Sequence, residues 1–168
     1  AAIELALESL PTIPGSVYLS LNASPSTMLS GRLDDLLGAY PLDRLMLEVT
    51  EHDVVDDYAG LFEALAGMRA RGLRLAIDDA GAGYASFRHI LRLAPDVIKL
   101  DRSLTHDMDR RLESRALAVA LKGFADETGS KLVAEGVETH AELEALQEIG
   151  ICKAQGYLLG RPGPLPAP

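Results

Sequence analysis

Short aliphatic runs alternate along the chain with stretches whose apolar residues recur every three or four positions, the pattern of strands separated by amphipathic helices. Six runs read as strands, at 17–21, 45–49, 74–77, 97–100, 131–134 and 154–158. Asp53 is placed to cap a helix whose apolar face runs Val54, Tyr58, Leu61, Phe62, Leu65, Met68 and which stops at Gly72. This face is core. A second helix is expected over 113–128, with Leu117, Leu121 and Phe124 on one side. A third starts at the capping box Thr139-His-Ala-Glu142, buries Leu143, Leu146 and Ile149, and ends at Gly150. Ile3, Leu7 and Leu10 give an opening helix closed by Pro11, and the Pro-rich end at 162–168 reads as irregular. Strands and helices alternating in this way predict an α/β fold with a parallel sheet and crossover helices.

The residues that follow those strands are almost all polar: Asn22 and Ser24, Glu48 and Glu51, Asp78 and Asp79, Lys99 and Asp101, Glu135 and Glu138, Gln155. In an α/β barrel the carboxyl ends of the strands share one face, and that face carries the chemistry. Asp78 and Asp79 close an apolar strand, and two adjacent carboxylates stay ionised together only beside a cation, either a lysine or a divalent metal. Carboxylate and amide oxygens, with no histidine or thiol among them, suit Mg²⁺ or Mn²⁺ better than zinc. Several carboxylates can hold two such ions, which clamp the attacking and leaving oxygens of an in-line phosphoryl displacement. Single-metal enolisation with Lys99 as base stays open at this level.

Composition narrows the partners. The 168 residues are 48% hydrophobic and 24% charged, enough for one core, so a single domain over 1–168 is expected. A formal charge of −9 argues against a general nucleic-acid or anionic-membrane surface. Cys152 stands alone, which rules out an internal disulfide framework, and it reads as a small packed residue. His52, His89, His106 and His140 read as solvated or capping groups. With no leader-like stretch and no apolar span of roughly 20 residues, the expectation is a cytoplasmic protein.

The motif series Asn22-Ala-Ser24, Leu47-Glu48-Val-Thr50-Glu51, Asp78-Asp79-Ala-Gly-Ala-Gly83-Tyr84, Ile98-Lys99-Leu-Asp101, Val133-Ala-Glu135-Gly-Val-Glu138-Thr139 and Gln155-Gly156-Tyr157, in this order, resembles the EAL domain of cyclic di-GMP phosphodiesterases. The resemblance implies a TIM-type (β/α)8 barrel that cuts cyclic di-GMP to the linear dinucleotide with two Mg²⁺ or Mn²⁺ ions. It implies that Asn22, Glu48 and Asp78 hold the first ion and that Asp78, Asp79 and Glu135 hold the second. Glu135 doubles as general base, and Lys99 orients the nucleophilic water. Glu138, Gln155 and Asp101 order the surrounding shell and substrate. Glu51 anchors the loop after Asp79, in which Gly81 and Gly83 allow movement. Tyr84, Phe87 and Tyr157 are candidate guanine-stacking surfaces. Sensor or GGDEF domains outside this chain and a second copy of it are the partners the resemblance suggests.

This chain departs from the family in one main respect. The Glu-Ala-Leu strand that supplies a metal-ligand glutamate ahead of the Asn segment is absent, so the barrel is expected to be N-terminally truncated to about six parallel strands of eight. Glu63-Ala-Leu65 and Glu144-Ala-Leu146 spell the tripeptide, but both fall inside predicted helices. Ala80 stands where the family favours phenylalanine, and the connection from Asn22 to Glu48 is short. Exposed strand edges then need cover from a segment outside this fragment, a second copy, or the first segment of the chain. Two functional readings follow: a hydrolase whose missing glutamate comes from upstream, or a catalytically degenerate domain that binds cyclic di-GMP and signals to partners.

Overall fold

The computed structural model describes residues 2–50, 53–81 and 84–163, with the side chains of 84–86 outside that description. Contacts divide the chain into two compact units, residues 1–76 with 163–168, and residues 77–162. The strands are β1 (Leu19–Asn22), β2 (Leu45–Val49), β3 (Arg74–Ala80), β4 (Val97–Leu100) and β5 (Lys131–Ala134), parallel and in that order in one sheet. Helix α1 (Ala2–Glu8) precedes them. The parallel neighbours need crossovers, supplied by α2 (Pro25–Leu29) with α3 (Arg32–Leu37), by α4 (Tyr58–Ala70), by α5 (Tyr84–Leu93), and by α6 (Arg102–Thr105) with α7 (Leu112–Thr128). Helix α8 (His140–Glu148) follows β5. No helix among the described residues is long and apolar enough to cross a membrane.

In the first unit, β1 and β2 pair with Leu19 opposite Leu45 and Asn22 opposite Glu48. All five residues of β2 are buried, as in a parallel strand covered on both faces. Strand β1 starts two residues later than the apolar pattern suggested. Val17 is half exposed and its carbonyl accepts from the Arg44 side chain at 3.1 and 3.2 Å, so it is committed to a side-chain contact. Helix α4 is capped by Asp57, whose carboxylate accepts from the Gly60 amide at 2.8 Å. Asp53 instead accepts from the amide and hydroxyl of Thr50 at 2.9 and 3.0 Å, closing a turn four residues before the helix cap. The core face of α4 is Leu61, Leu65 and Met68, while Val54 and Phe62 are exposed.

In the second unit, β4 and β5 pair with Val97 opposite Lys131 and Lys99 opposite Val133. Helix α7 ends at Gly129, whose φ of 77° suits a glycine, but its buried stripe is Ser114, Ala118, Leu121 and Ala125. Leu117 and Phe124 are half-buried. The capping box of Thr139 and Glu142 forms as expected, and α8 buries Ala145 and Leu146, with Leu143 and Ile149 half-buried. His89 is buried within α5 and Cys152 is exposed, both opposite to expectation.

The sixth expected strand is reduced to a single bridge between Ala134 and Ala154. The chain leaves the sheet at Gly156, where a Cβ would lie 2.2 Å from the Val137 carbonyl oxygen. A turn follows, with the Leu159 and Gly160 amides both donating to the Gly156 carbonyl at 3.0 and 3.1 Å. Close backbone contact with Val137 thus replaces ladder pairing.

Candidate active site

The second unit concentrates its charge at the carboxyl ends of its strands. A regular strand points successive side chains to opposite faces, so Asp78 and Asp79 would diverge if β3 stayed extended. Asp79 has φ 55°, the left-handed region that Asp enters more readily than most residues. That single kink breaks the alternation. Carboxylate oxygens of Asp78, Asp79 and Glu135 all lie within 4.8 Å of one another. Lys99, 7% exposed, supplies the nearby positive charge: its Nζ is 3.0 Å from Asp78 Oδ1 and 2.7 Å from Glu135 Oε1.

Glu135 is fixed at both ends. Its Oε1 also accepts from Gln155 Nε2 at 2.6 Å, and its amide donates to the Leu100 carbonyl at 3.1 Å. Its carbonyl accepts from the hydroxyl of Thr105, a fully buried residue of α6. Nothing in the sequence marks Thr105, because the contact joins residues 30 apart through the fold.

In the first unit, Asn22 and Glu48 hold adjacent register positions at the ends of β1 and β2. Glu48 is buried and its Oε1 accepts from the Ser20 hydroxyl, a partner the sequence does not signal. Asn22 is exposed and lines a cavity of about 620 Å³ with Ser26, Thr27 and Arg32. Ser24 caps α2, with its hydroxyl accepting from the Thr27 amide at 3.3 Å.

The remaining candidates take mixed roles. Asp101 caps α6 by accepting from the Ser103 amide at 2.9 Å, so it is a helix cap and not the salt-pair partner of Lys99 that its spacing suggests. Glu138 pairs with Arg102 at 3.0 Å. Gly81 has φ 104°, and a Cβ there would lie 2.2 Å from Leu104, so close packing as well as backbone freedom requires glycine. Glu51 and Gly83 lie outside the described residues, as does the Tyr84 side chain. His106, Asp107 and Glu142 form a second acidic group. Glu142 there is structural: burial pushes its pKa up, but amides of Glu138, Asp107 and Thr139 and the Thr139 hydroxyl pull it further down, to a net value below the ordinary one.

Oxygen-only donors within one small cluster, beside a lysine and on the strand-end rim, define a site able to take a hard divalent cation and a phosphoryl group. The EAL domain family model matches residues 1–162, across both units, and the chain belongs to that family. It is 34% identical over 168 residues to the cyclic di-GMP phosphodiesterase PA2567 of Pseudomonas aeruginosa, covering 96% of this chain and 28% of that protein. The manganese and cyclic di-GMP complex of Klebsiella pneumoniae BlrP1 superposes with a TM-score of 0.81 at 33% identity, covering 96% of this chain and 42% of that one. An EAL domain protein from Listeria monocytogenes gives 0.85 at 25% identity, covering 96% and 67%. The chain spans 17% to 39% of the length of the first curated relatives it matches.

Proposed function

We propose that this chain hydrolyses cyclic di-GMP to linear pGpG, acting in the cytoplasm as one EAL domain over residues 1–168 of a larger signalling protein. The observation that carries the reading is the Lys99 ammonium held between Asp78 and Glu135, beside Asp79, in a chain whose family relatives are named cyclic di-GMP phosphodiesterases. The oxygen cluster fits a hard cation by donor chemistry and by its 4.8 Å spread. Asp78, Asp79 and Glu135 would hold one of two Mg²⁺ or Mn²⁺ ions, with Asn22 and Glu48 assigned to the other by the motif resemblance. When bound, such ions acidify a water and neutralise charge building on the phosphate.

Glu135 is the base: it accepts the proton of a water whose oxygen attacks one phosphorus, while the bond from phosphorus to the 3′ oxygen breaks and that oxygen ends as a hydroxyl. Lys99 and Gln155 hold the Glu135 carboxylate in one orientation, and Lys99 orients the water. Asp78 and Asp79 bind rather than move protons. Sensor or GGDEF domains of the larger protein and a second copy of this chain are the proposed partners.

The test is chromatography of cyclic di-GMP incubated with the chain and Mn²⁺. Appearance of pGpG supports the reading. Calorimetric binding of cyclic di-GMP without any product would instead establish a binding module, and neither binding nor product would remove the nucleotide altogether.

A further inference from the structure

A second cavity, of about 600 Å³, opens in the second unit beside the carboxylate cluster. Its size falls within the roughly 300–1,000 Å³ of small-molecule sites. Gln155 connects the two: it lines the cavity and donates its amide to Glu135. The hollow is made by glycines. Gly136 has φ 67° and carries the aliphatic stem of Arg102 so closely that a Cβ would lie 2.5 Å from Arg102 Cγ. Gly156 packs its backbone directly on Val137.

The walls have a specific chemistry. On one side, Arg102 Nη2 meets Glu138 Oε1 at 3.0 Å. A guanidinium has five N–H donors and a carboxylate about four acceptor sites, so this single contact leaves both groups with capacity for a ligand. On the other side, the Arg161 guanidinium lies 4.6 Å from the centroid of the Tyr157 ring, and Tyr157 is about half exposed. A flat ligand can stack on such a surface.

Resting on the reading of the chain as a cyclic di-GMP hydrolase, we propose that this cavity binds one base of the substrate and selects guanine through Arg102 and Glu138. Guanine presents, in sequence along one edge, an acceptor at O6 and donors at N1 and N2. The ion pair presents the matching sequence: donors from Arg102, then the two oxygens of Glu138. Adenine offers a donor at the 6 position and none at N1, so it opposes both groups. Hypoxanthine keeps O6 and N1–H but lacks the N2 amine. The Tyr157 and Arg161 stack takes the face of the base and is indifferent to its identity.

The experiment measures calorimetric affinities of the chain for cyclic di-GMP, cyclic di-IMP and cyclic di-AMP, with Glu138→Gln and Arg102→Met as variants and circular dichroism to verify folding. The wild-type chain is expected to prefer cyclic di-GMP over either analogue by about ten-fold or more. Glu138→Gln should remove the preference over cyclic di-IMP. Arg102→Met keeps the stem over Gly136 and should weaken cyclic di-GMP and cyclic di-IMP alike, leaving cyclic di-AMP unchanged. It stands alone as the test if the first variant does not fold. Cyclic di-GMP bound tightly with the preferences unchanged in a folded variant would overturn this assignment and leave the proposed hydrolysis standing. No binding of cyclic di-GMP by the wild-type chain would overturn both.

Discussion

Lys99 Nζ lies 2.7 Å from Glu135 Oε1, and both side chains are at most 14% exposed. One ammonium thus orients the proposed base and offsets the repulsion among three clustered carboxylates. Charge, position and burial are set by the same residue, so the two roles can be separated only by substitution.

Lys99→Met is expected to lower stability by about 3 kcal/mol, because removing one partner of a buried ion pair strands the other charge. Saturating Mn²⁺ should return most of that loss, since a divalent ion in the oxygen cluster replaces the missing cation. Thermal melts with and without Mn²⁺ measure both effects. A variant as stable as the wild-type chain without metal would show that the carboxylates do not depend on Lys99.

Glu135→Gln preserves shape and removes the proton acceptor. Turnover of cyclic di-GMP should fall by at least about 100-fold, the usual scale of a positioned general base. Binding measured by calorimetry should stay within about ten-fold of wild type. Full turnover in this variant assigns the proton to another group.

The kink at Asp79 can be tested without reference to catalysis. At φ 55° an alanine is strained and a glycine is not. Asp79→Gly is therefore expected to be more stable than Asp79→Ala by about 1 kcal/mol in urea titrations. Equal stabilities would mean that the backbone there is extended and that the two carboxylates do not converge by this route.

Glu142 contributes to the fold through its charge. It accepts from the amides of Asp107, Glu138 and Thr139 at 3.1, 2.9 and 3.0 Å. Its folded pKa is lowered, so its contribution is present above the ordinary glutamate pKa and is lost as pH falls through the lowered value. Glu142→Gln should be less stable than wild type by about 1–2 kcal/mol near neutral pH, with the gap narrowing in acid below about pH 4. Urea titrations at the two pH values measure it, and a gap independent of pH would show that the carboxylate is not charged in the fold.

Five strands and the helices between them were legible because local alternation and capping residues carry that information. Leu45–Val49, Val97–Leu100 and Lys131–Ala134 have the boundaries their apolar runs suggest. The helix face of α7 was misread by one position because Ala118 and Ala125 are as buried as a leucine would be, while long side chains reach past the edge of the contact. Asp53 and Asp57 are equally good caps by residue type, and only the turn closed on Thr50 selects between them.

Taken alone, the chain's order of residues determined which oxygen donors end which strands and which family pattern they follow, since short-range periodicity and motif spacing are written along the backbone. Tertiary structure decided what holds those donors: the left-handed turn at Asp79, the Thr105 hydroxyl on the Glu135 carbonyl, and the Arg102 stem laid over Gly136. Each depends on groups distant in the chain meeting at close range or on a backbone angle that several residue types tolerate, and neither leaves a periodic trace in sequence.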